Sequence, residues 1–501
     1  MKNKVILIIC DGLGYSQATE HNAIYTAKTP NLDSFQAKYP FAILEAAGEA
    51  IGLPEGQMGT SEANHLVIGS GRIIYQNLVK INKAAKNKEI ETNPAILEAF
   101  AHVKEHQSSL HIKGIISDGG VHGHVEHLKA LILAAKAHGV AKVFLHLFTD
   151  GRDVAPQSAK GYITELEDFL QSEGLGKIAS LGGRYWGMDR DNNHDRIEKH
   201  FLVMTKGSAL KFKTAHDIIE HNYQAGNFDE FIEPASIEFE EESEGLIAAN
   251  DAVIFANFRA DRARQITKRI LAEKIDNLKY VSMTKYDDDI DVRVAYEPEE
   301  ISHCLSEVVS SHGLKQLKVT ETEKFSHLTF FFNAQKYEAF ESEDRIMIDS
   351  NKDIATHDEK PEMKAKEIAS AVVQAIKDDK YDFIAVNLTN CDMVGHSGNF
   401  PAIVQAVEAV DTALGEIAQA SLEQGYQLLI SADHGNAEET YDPKINQRMT
   451  AHTLNPVPFY LVSDKYNSIN RSSGNLSDIA PTILNILDLD IPKEMTGQSL
   501  I

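Results

Sequence analysis

Short apolar runs that stop abruptly at a polar loop recur along the whole chain. "VILIIC" ends at Asp11-Gly12, "KGIIS" at Asp118, "KVFLHLF" at Thr149-Asp150 and "DAVIFANF" at Arg259. "DFIAVNL" ends at Thr389 and "YQLLIS" at Ala432-Asp433. Their length and β-branched content predict buried strands. Between them lie stretches with apolar residues three and four apart, such as "HLKALILAAKAHG" and "IVQAVEAVDTALGEIAQASLEQG", which predict helices. Alternating strands and helices predict an α/β architecture with mostly parallel sheets. Ligands of such sheets collect beyond the carboxyl ends of the strands, so candidate chemistry belongs just after each apolar run.

Two stretches break the pattern. Residues 76–93, "QNLVKINKAAKNKEIETN", and 287–300, "DDDIDVRVAYEPEE", are polar or charged and bracket a block of domain size. The expected organisation is therefore a discontinuous domain, 1–75 with 299–501, carrying an inserted α/β domain over 76–298. With 501 residues, 43% of them hydrophobic, the chain can build such cores.

Charge narrows the partners. A formal net charge of −25 argues against nucleic acid or an anionic membrane surface. No apolar run reaches membrane-spanning length, and the first run is too short for a signal-peptide core. Three cysteines without a CxxC spacing fit a reducing cytoplasm, and Cys10 and Cys391 read as small buried apolar residues.

The outer block concentrates Asp and His after its strands. Asp11 follows the first strand, and "TNCDMVGHSG" sets Asp392 and His396 on one helical face. "SADHGNAEET" gives Asp433 and His434, and "AHTLNPVPF" gives His452. "GTSEANHLVIGSGR" adds Ser61, which suits a helix N-cap or a nucleophile at a helix end; a capping box would want Glu or Gln three residues on. Oxygen and imidazole ligands without thiolate suit Mn²⁺ or another first-row divalent ion, and their number suits two ions.

The inner block concentrates arginine instead. "SDGGVHGH" supplies His122, and "FTDGRDV" supplies Arg152 and Asp153. "GGRYWGMDRDNNHDR" supplies Arg184, Arg190 and Arg196, and "NFRADRAR" supplies Arg259, Arg262 and Arg264. Guanidinium forks in loops suit phosphate and carboxylate, while Asp153 among them suits proton handling. Lys324 lies back in the outer block, where a lone lysine usually reads as surface.

These motifs, with "CDGLG", "EKFSHLTFFFN" and "DIAPTILNILDLDIPKEMTGQSLI", resemble the cofactor-independent phosphoglycerate mutases of the alkaline-phosphatase-like superfamily. The resemblance covers essentially the whole chain. It implies an alkaline-phosphatase-like metal domain, an inserted substrate-binding domain, and interconversion of 3- and 2-phosphoglycerate in glycolysis and gluconeogenesis, independent of 2,3-bisphosphoglycerate. Matched position by position, the nucleophile falls on Ser61, which would form a phosphoserine. One metal would be held by Asp11, Asp433 and His434 with Ser61, the other by Asp392, His396 and His452, both most plainly Mn²⁺. Lys324 would neutralise charge on the transferred group. His122, Arg152, Arg184, Arg190, Arg259 and Arg262 would bind glycerate and phosphate, with Asp153 as acid/base. Closure over 76–93 and 287–300 would exclude water, and a cytoplasmic monomer is expected. The chain departs from the family pattern at Thr60, Ala63, Asn64, Ala260 and Cys391. A phosphatase of the same superfamily is the rival reading.

Overall fold

A computed structural model describes residues 3–501. The chain divides into two compact units, Met1–Gln76 with Glu300–Ile501, and Asn77–Glu299. Each is built on its own eight-stranded sheet.

In the first unit the strand Lys4–Cys10 lies between Phe383–Leu388 and Tyr426–Ser431, parallel to both. All three are buried on both faces, which is why their sequences run apolar without alternation. Gln316–Glu321 and Glu343–Ile348 extend the sheet on one side, again in parallel. On the other side Val457–Val462 and Phe41–Glu45 enter antiparallel, so the sheet is mixed. The 24-residue helix Phe400–Glu423 covers one face, burying Ile403, Val407, Val410, Leu414 and Ile417 at helical spacing. Asp11, Thr389 and Asp433 therefore leave adjacent parallel strands at the same edge. Gly12 makes that convergence possible: its φ is +79°, and a Cβ there would stand 2.6 Å from the Asp392 amide nitrogen.

The second unit orders its strands Arg293–Tyr296, Lys279–Thr284, Ala252–Phe255, Leu110–Ile116, Val143–Thr149, Lys177–Gly183, Ala235–Ile237 and Lys211–Phe212. The first six are parallel, and only Lys177–Gly183 with Ala235–Ile237 pairs antiparallel among the described residues. Carboxyl ends of the parallel strands carry the loops with His122, Arg152, Arg184 and Arg259.

The two stretches read as irregular are ordered. Residues 76–93 hold the helix Asn77–Lys86, which buries Val79, Ile81 and Ala84, followed by the 3₁₀ turn Glu89–Thr92. Residues 287–300 hold the strand Arg293–Tyr296, paired to Lys279–Thr284. Lysines and acids fill the exposed positions of both, so their few apolar residues do not stand out as a pattern. No helix among the described residues is long and apolar enough to cross a membrane.

All three cysteines, Cys10, Cys304 and Cys391, are buried, and burial first, with the Asp11 charge behind it for Cys10, pushes the Cys10 and Cys391 thiols up. A thiol reagent should label none of them in the native protein and all three after denaturation; rapid native labelling of Cys10 or Cys391 would contradict the burial.

Candidate active site

Ser61 opens the helix Ser61–Ser70 at its first turn, but it is not the cap. That place belongs to Thr60, whose hydroxyl accepts from the Ala63 amide at 3.3 Å. The Ser61 hydroxyl is thus left to face inward, 3.0 Å from His434 Nε2 and 2.7 Å from Lys324 Nζ. Thr60 caps the helix, and Asn64 has its own role: its buried amide donates to the carbonyls of Ala46 and Asp433, at 3.1 and 2.6 Å. It ties the serine's helix to the loop that carries His434.

Lys324 is the opposite of a surface lysine. Its ammonium is buried and donates to Asp11 Oδ1 at 2.8 Å and Asp392 Oδ2 at 2.7 Å. Burial alone would lower its pKa, but the charges of Asp11 and Asp392 outweigh that and raise it, so it stays a cation. Burial, with the Asp433 charge, pushes the Asp11 carboxyl up. Burial acts the same way on Asp392, where Lys324, His396 and His452 overcome it and hold the carboxyl well below the usual range.

Two imidazoles converge on Asp392. His452 Nε2 is 3.0 Å and His396 Nε2 3.1 Å from Asp392 Oδ1, and the two nitrogens are 3.4 Å apart. Each Nδ1 lies 2.7 Å from a backbone carbonyl, Gly59 for His452 and Thr450 for His396. Those carbonyls accept from Nδ1–H and turn both Nε2 atoms into the cluster, an orientation typical of metal-ligating histidines. His396 closes the helix Asn390–Gly395, so the predicted spacing does place it beside Asp392. His434 stacks on His452 with ring centroids 3.6 Å apart.

The donor set fits divalent cations. Asp11, Asp433 and His434 each offer an atom within 4.8 Å of the others, and so do Asp392, His434 and His452. Asp433 Oδ2 is buried, 3.4 Å from both His65 Nδ1 and His434 Nε2, yet accepts no aligned hydrogen bond. Three buried carboxylates facing one lysine, with imidazole nitrogens beside them, make an oxygen and nitrogen donor set that suits divalent cations. Behind them Glu438, which sequence reasoning missed, is buried and accepts from the amides of Gly14 and Asn436 and from Thr453 and Asn455.

In the second unit Arg184 is buried, donating to Asp150 Oδ1 at 2.6 Å and to Asp153. Arg190 and Arg259 meet at Asp261, at 3.0 and 3.2 Å, with His122 Nδ1 3.7 Å from the same carboxylate. Arg262 donates to the Met188 carbonyl at 2.9 Å, and Arg152 pairs with Glu230. Burial, with Arg184 nearby, draws His122 down to about 4, so its ring is neutral. Asp150 and Asp261 were missed in the sequence; their only signal was that each lies within two residues of a selected residue in "TDGRD" or "FRADR". Arg196 and Arg264 serve the fold instead: Arg196 binds Asp189 and lies on the Tyr185 ring, and Arg264 donates to the Tyr286 carbonyl.

Residues 81–288 match the family described as BPG-independent PGAM N-terminus, and 315–455 match type I phosphodiesterase / nucleotide pyrophosphatase. The 2,3-bisphosphoglycerate-independent phosphoglycerate mutase of Clostridioides difficile (strain 630) is 45% identical, over 100% of this chain and 99% of its own. The enzyme named 2,3-bisphosphoglycerate-independent phosphoglycerate mutase 1 of Methanosarcina barkeri is 46% identical, over 100% and 98%. Crystal structures of Leishmania mexicana phosphoglycerate mutase at low cobalt concentration give a TM-score of 0.54 at 28% identity, over 100% and 98% of the two chains.

Burial lowers the His452 pKa, but its hydrogen bond to Asp392 and that carboxylate's charge prevail and raise it to about 9. A cation binding His452 at pH 7 must therefore displace a proton, and its affinity rises with pH until about 9. Calorimetric Mn²⁺ titrations at pH 7 in buffers of different ionisation enthalpy should report proton release; heats independent of buffer would contradict it. With this site, this fold and full-length identity to named relatives, the chain belongs to the 2,3-bisphosphoglycerate-independent phosphoglycerate mutases.

Proposed function

We propose that the chain interconverts 3-phosphoglycerate and 2-phosphoglycerate, without 2,3-bisphosphoglycerate, by passing the phosphoryl group through Ser61. The observation that carries this is the Ser61 hydroxyl itself, held 2.7 Å from the Lys324 ammonium and 3.0 Å from His434 Nε2 at a helix start. Members of the family use divalent metals. In this reading two Mn²⁺ ions, one held by Asp11, Asp433, His434 and Ser61, the other by Asp392, His396 and His452, lower the serine's pKa and neutralise phosphoryl charge.

Ser61 Oγ, its proton already released to solvent, attacks phosphorus while the bond from phosphorus to the glycerate C3 oxygen breaks and Asp153 stands protonated. Asp153 gives that oxygen a proton and then accepts one from the C2 hydroxyl. The C2 oxygen attacks the phosphoserine, the bond from phosphorus to Oγ breaks, and Ser61 is regenerated. Backbone N–H groups at the start of the Ser61 helix and the Lys324 ammonium stabilise the phosphoserine. Arg152, Arg184, Arg190, Arg259 and Arg262, with neutral His122, hold glycerate carboxylate and phosphate. The substrate's anions compete with Glu230, Asp150, Asp153 and Asp261 for the same N–H groups. Until then those carboxylates keep the guanidinium groups ordered and in place.

Incubation with 3-phosphoglycerate and Mn²⁺, in the absence of 2,3-bisphosphoglycerate, should yield 2-phosphoglycerate. Chelation should stop the reaction and fresh Mn²⁺ restore it. Free phosphate as the main product would identify a hydrolase instead. Ser61→Ala should lower turnover by at least roughly 1,000-fold while the fold, read by circular dichroism, is retained; a variant with near-parental turnover would rule out the serine as nucleophile.

A further inference from the structure

His65 lies one turn beyond Ser61 on the same helix, and its ring is fully buried. Its Nδ1 is 2.9 Å from the Ser61 carbonyl and 3.4 Å from Asp433 Oδ2. Its Nε2 is 3.0 Å from Asn387 Nδ2, and the same amide nitrogen lies 2.8 Å from Asp11 Oδ2. Asn387 is the penultimate residue of the strand Phe383–Leu388, and it too is fully buried. None of the chemistry assigned above uses either side chain.

The chemistry of the partners fixes every proton in this chain. A backbone carbonyl only accepts, so the ring nitrogen facing Ser61 is Nδ1–H, and the Asn387 atom shared by His65 Nε2 and the Asp11 carboxylate is its NH₂ group. That NH₂ has a second proton, which it donates to His65 Nε2. An Nε2 that accepts carries no proton, so a neutral His65 holds its proton on Nδ1. Nδ1–H then donates to the Ser61 carbonyl, and it faces Asp433 Oδ2, the buried oxygen without an aligned donor.

We propose that His65 and Asn387 are paired positioning residues: one hydrogen-bond chain, Asp11–Asn387–His65–Ser61 carbonyl, sets the carboxylates and the nucleophile for the metal. This rests on the reading of Asp11 and Asp433 as metal ligands. The pair spans two elements that the metal must find in register, the serine's helix and the central strands. It supplies donors without adding a positive charge beside a cation. An amide accepts no proton at neutral pH and an imidazole ring is rigid, so the chain has one low-energy arrangement.

Two measurements test it. Side-chain ¹⁵N–¹H spectra of the metal-free protein at neutral pH should show a neutral Nδ1–H tautomer for His65, assigned by its loss in His65→Gln. An Nε2–H tautomer would overturn the proposal. In Mn²⁺ calorimetry, His65→Leu and Asn387→Leu should each weaken binding roughly 10- to 100-fold. The double variant should be no weaker than the weaker single one, because both changes break the same chain. His65→Gln, which keeps an amide donor, should recover part of the loss. Parental affinity in folded single variants, or losses that simply multiply, would overturn it. A parent protein that binds no Mn²⁺ would instead overturn the metal reading beneath it, leaving the tautomer to report on the hydrogen-bond chain alone.

Discussion

Three carboxylates, Asp11, Asp392 and Asp433, are brought out of water at the carboxyl ends of adjacent strands, and the first unit is arranged around what that costs. Charge in a low-dielectric interior must be neutralised or hydrogen-bonded. Lys324 meets Asp11 and Asp392 directly, at 2.8 and 2.7 Å, and His396 and His452 meet Asp392 from the other side. The close approach of these groups depends on the backbone at Gly12, where no larger residue would fit. Carboxylates and imidazoles so placed make a donor set that suits divalent cations, and the Ser61 hydroxyl lies beside it, 2.7 Å from Lys324 Nζ.

The second unit solves the inverse problem. Its guanidinium groups would repel one another, and acidic partners intersperse them: Asp150 and Asp153 at Arg184, Asp261 between Arg190 and Arg259, Glu230 at Arg152. The arginines are thus held by acidic partners, an arrangement that would lower the ordering cost of binding an anion. In a strongly acidic chain, these positive charges are clustered in loops at one edge of a sheet.

Much of this was legible in the sequence. Strands buried on both faces give continuous apolar runs, and parallel sheets put loop chemistry just beyond them, so Asp11, Asp392, Asp433 and the arginine loops could be found by position. The helix Asn77–Lys86 buries only Val79, Ile81 and Ala84, and the strand Arg293–Tyr296 is at most half-buried beside a run of acids, so both were hidden. The burial of Lys324 was illegible from composition, since one lysine looks like any other until tertiary structure surrounds it with carboxylates. His65, Asn387 and Glu438 are silent for a related reason: they act through hydrogen bonds to residues hundreds of positions away or on other loops. Thr60 and Asn64, departures from the family pattern, acquire a reason only in three dimensions, one as the helix cap and the other as a clamp on two carbonyls.

The central claim is that Ser61 takes the phosphoryl group and gives it back. Acid-quenching the Mn²⁺-loaded enzyme within its first turnovers of 3-phosphoglycerate, followed by peptide mass analysis, tests it most directly. The peptide carrying Ser61 should gain one phosphoryl group, at Ser61, and lose it at a rate no slower than turnover. Rapid mutase turnover with no adduct, or with the phosphoryl group on another residue, would contradict the account.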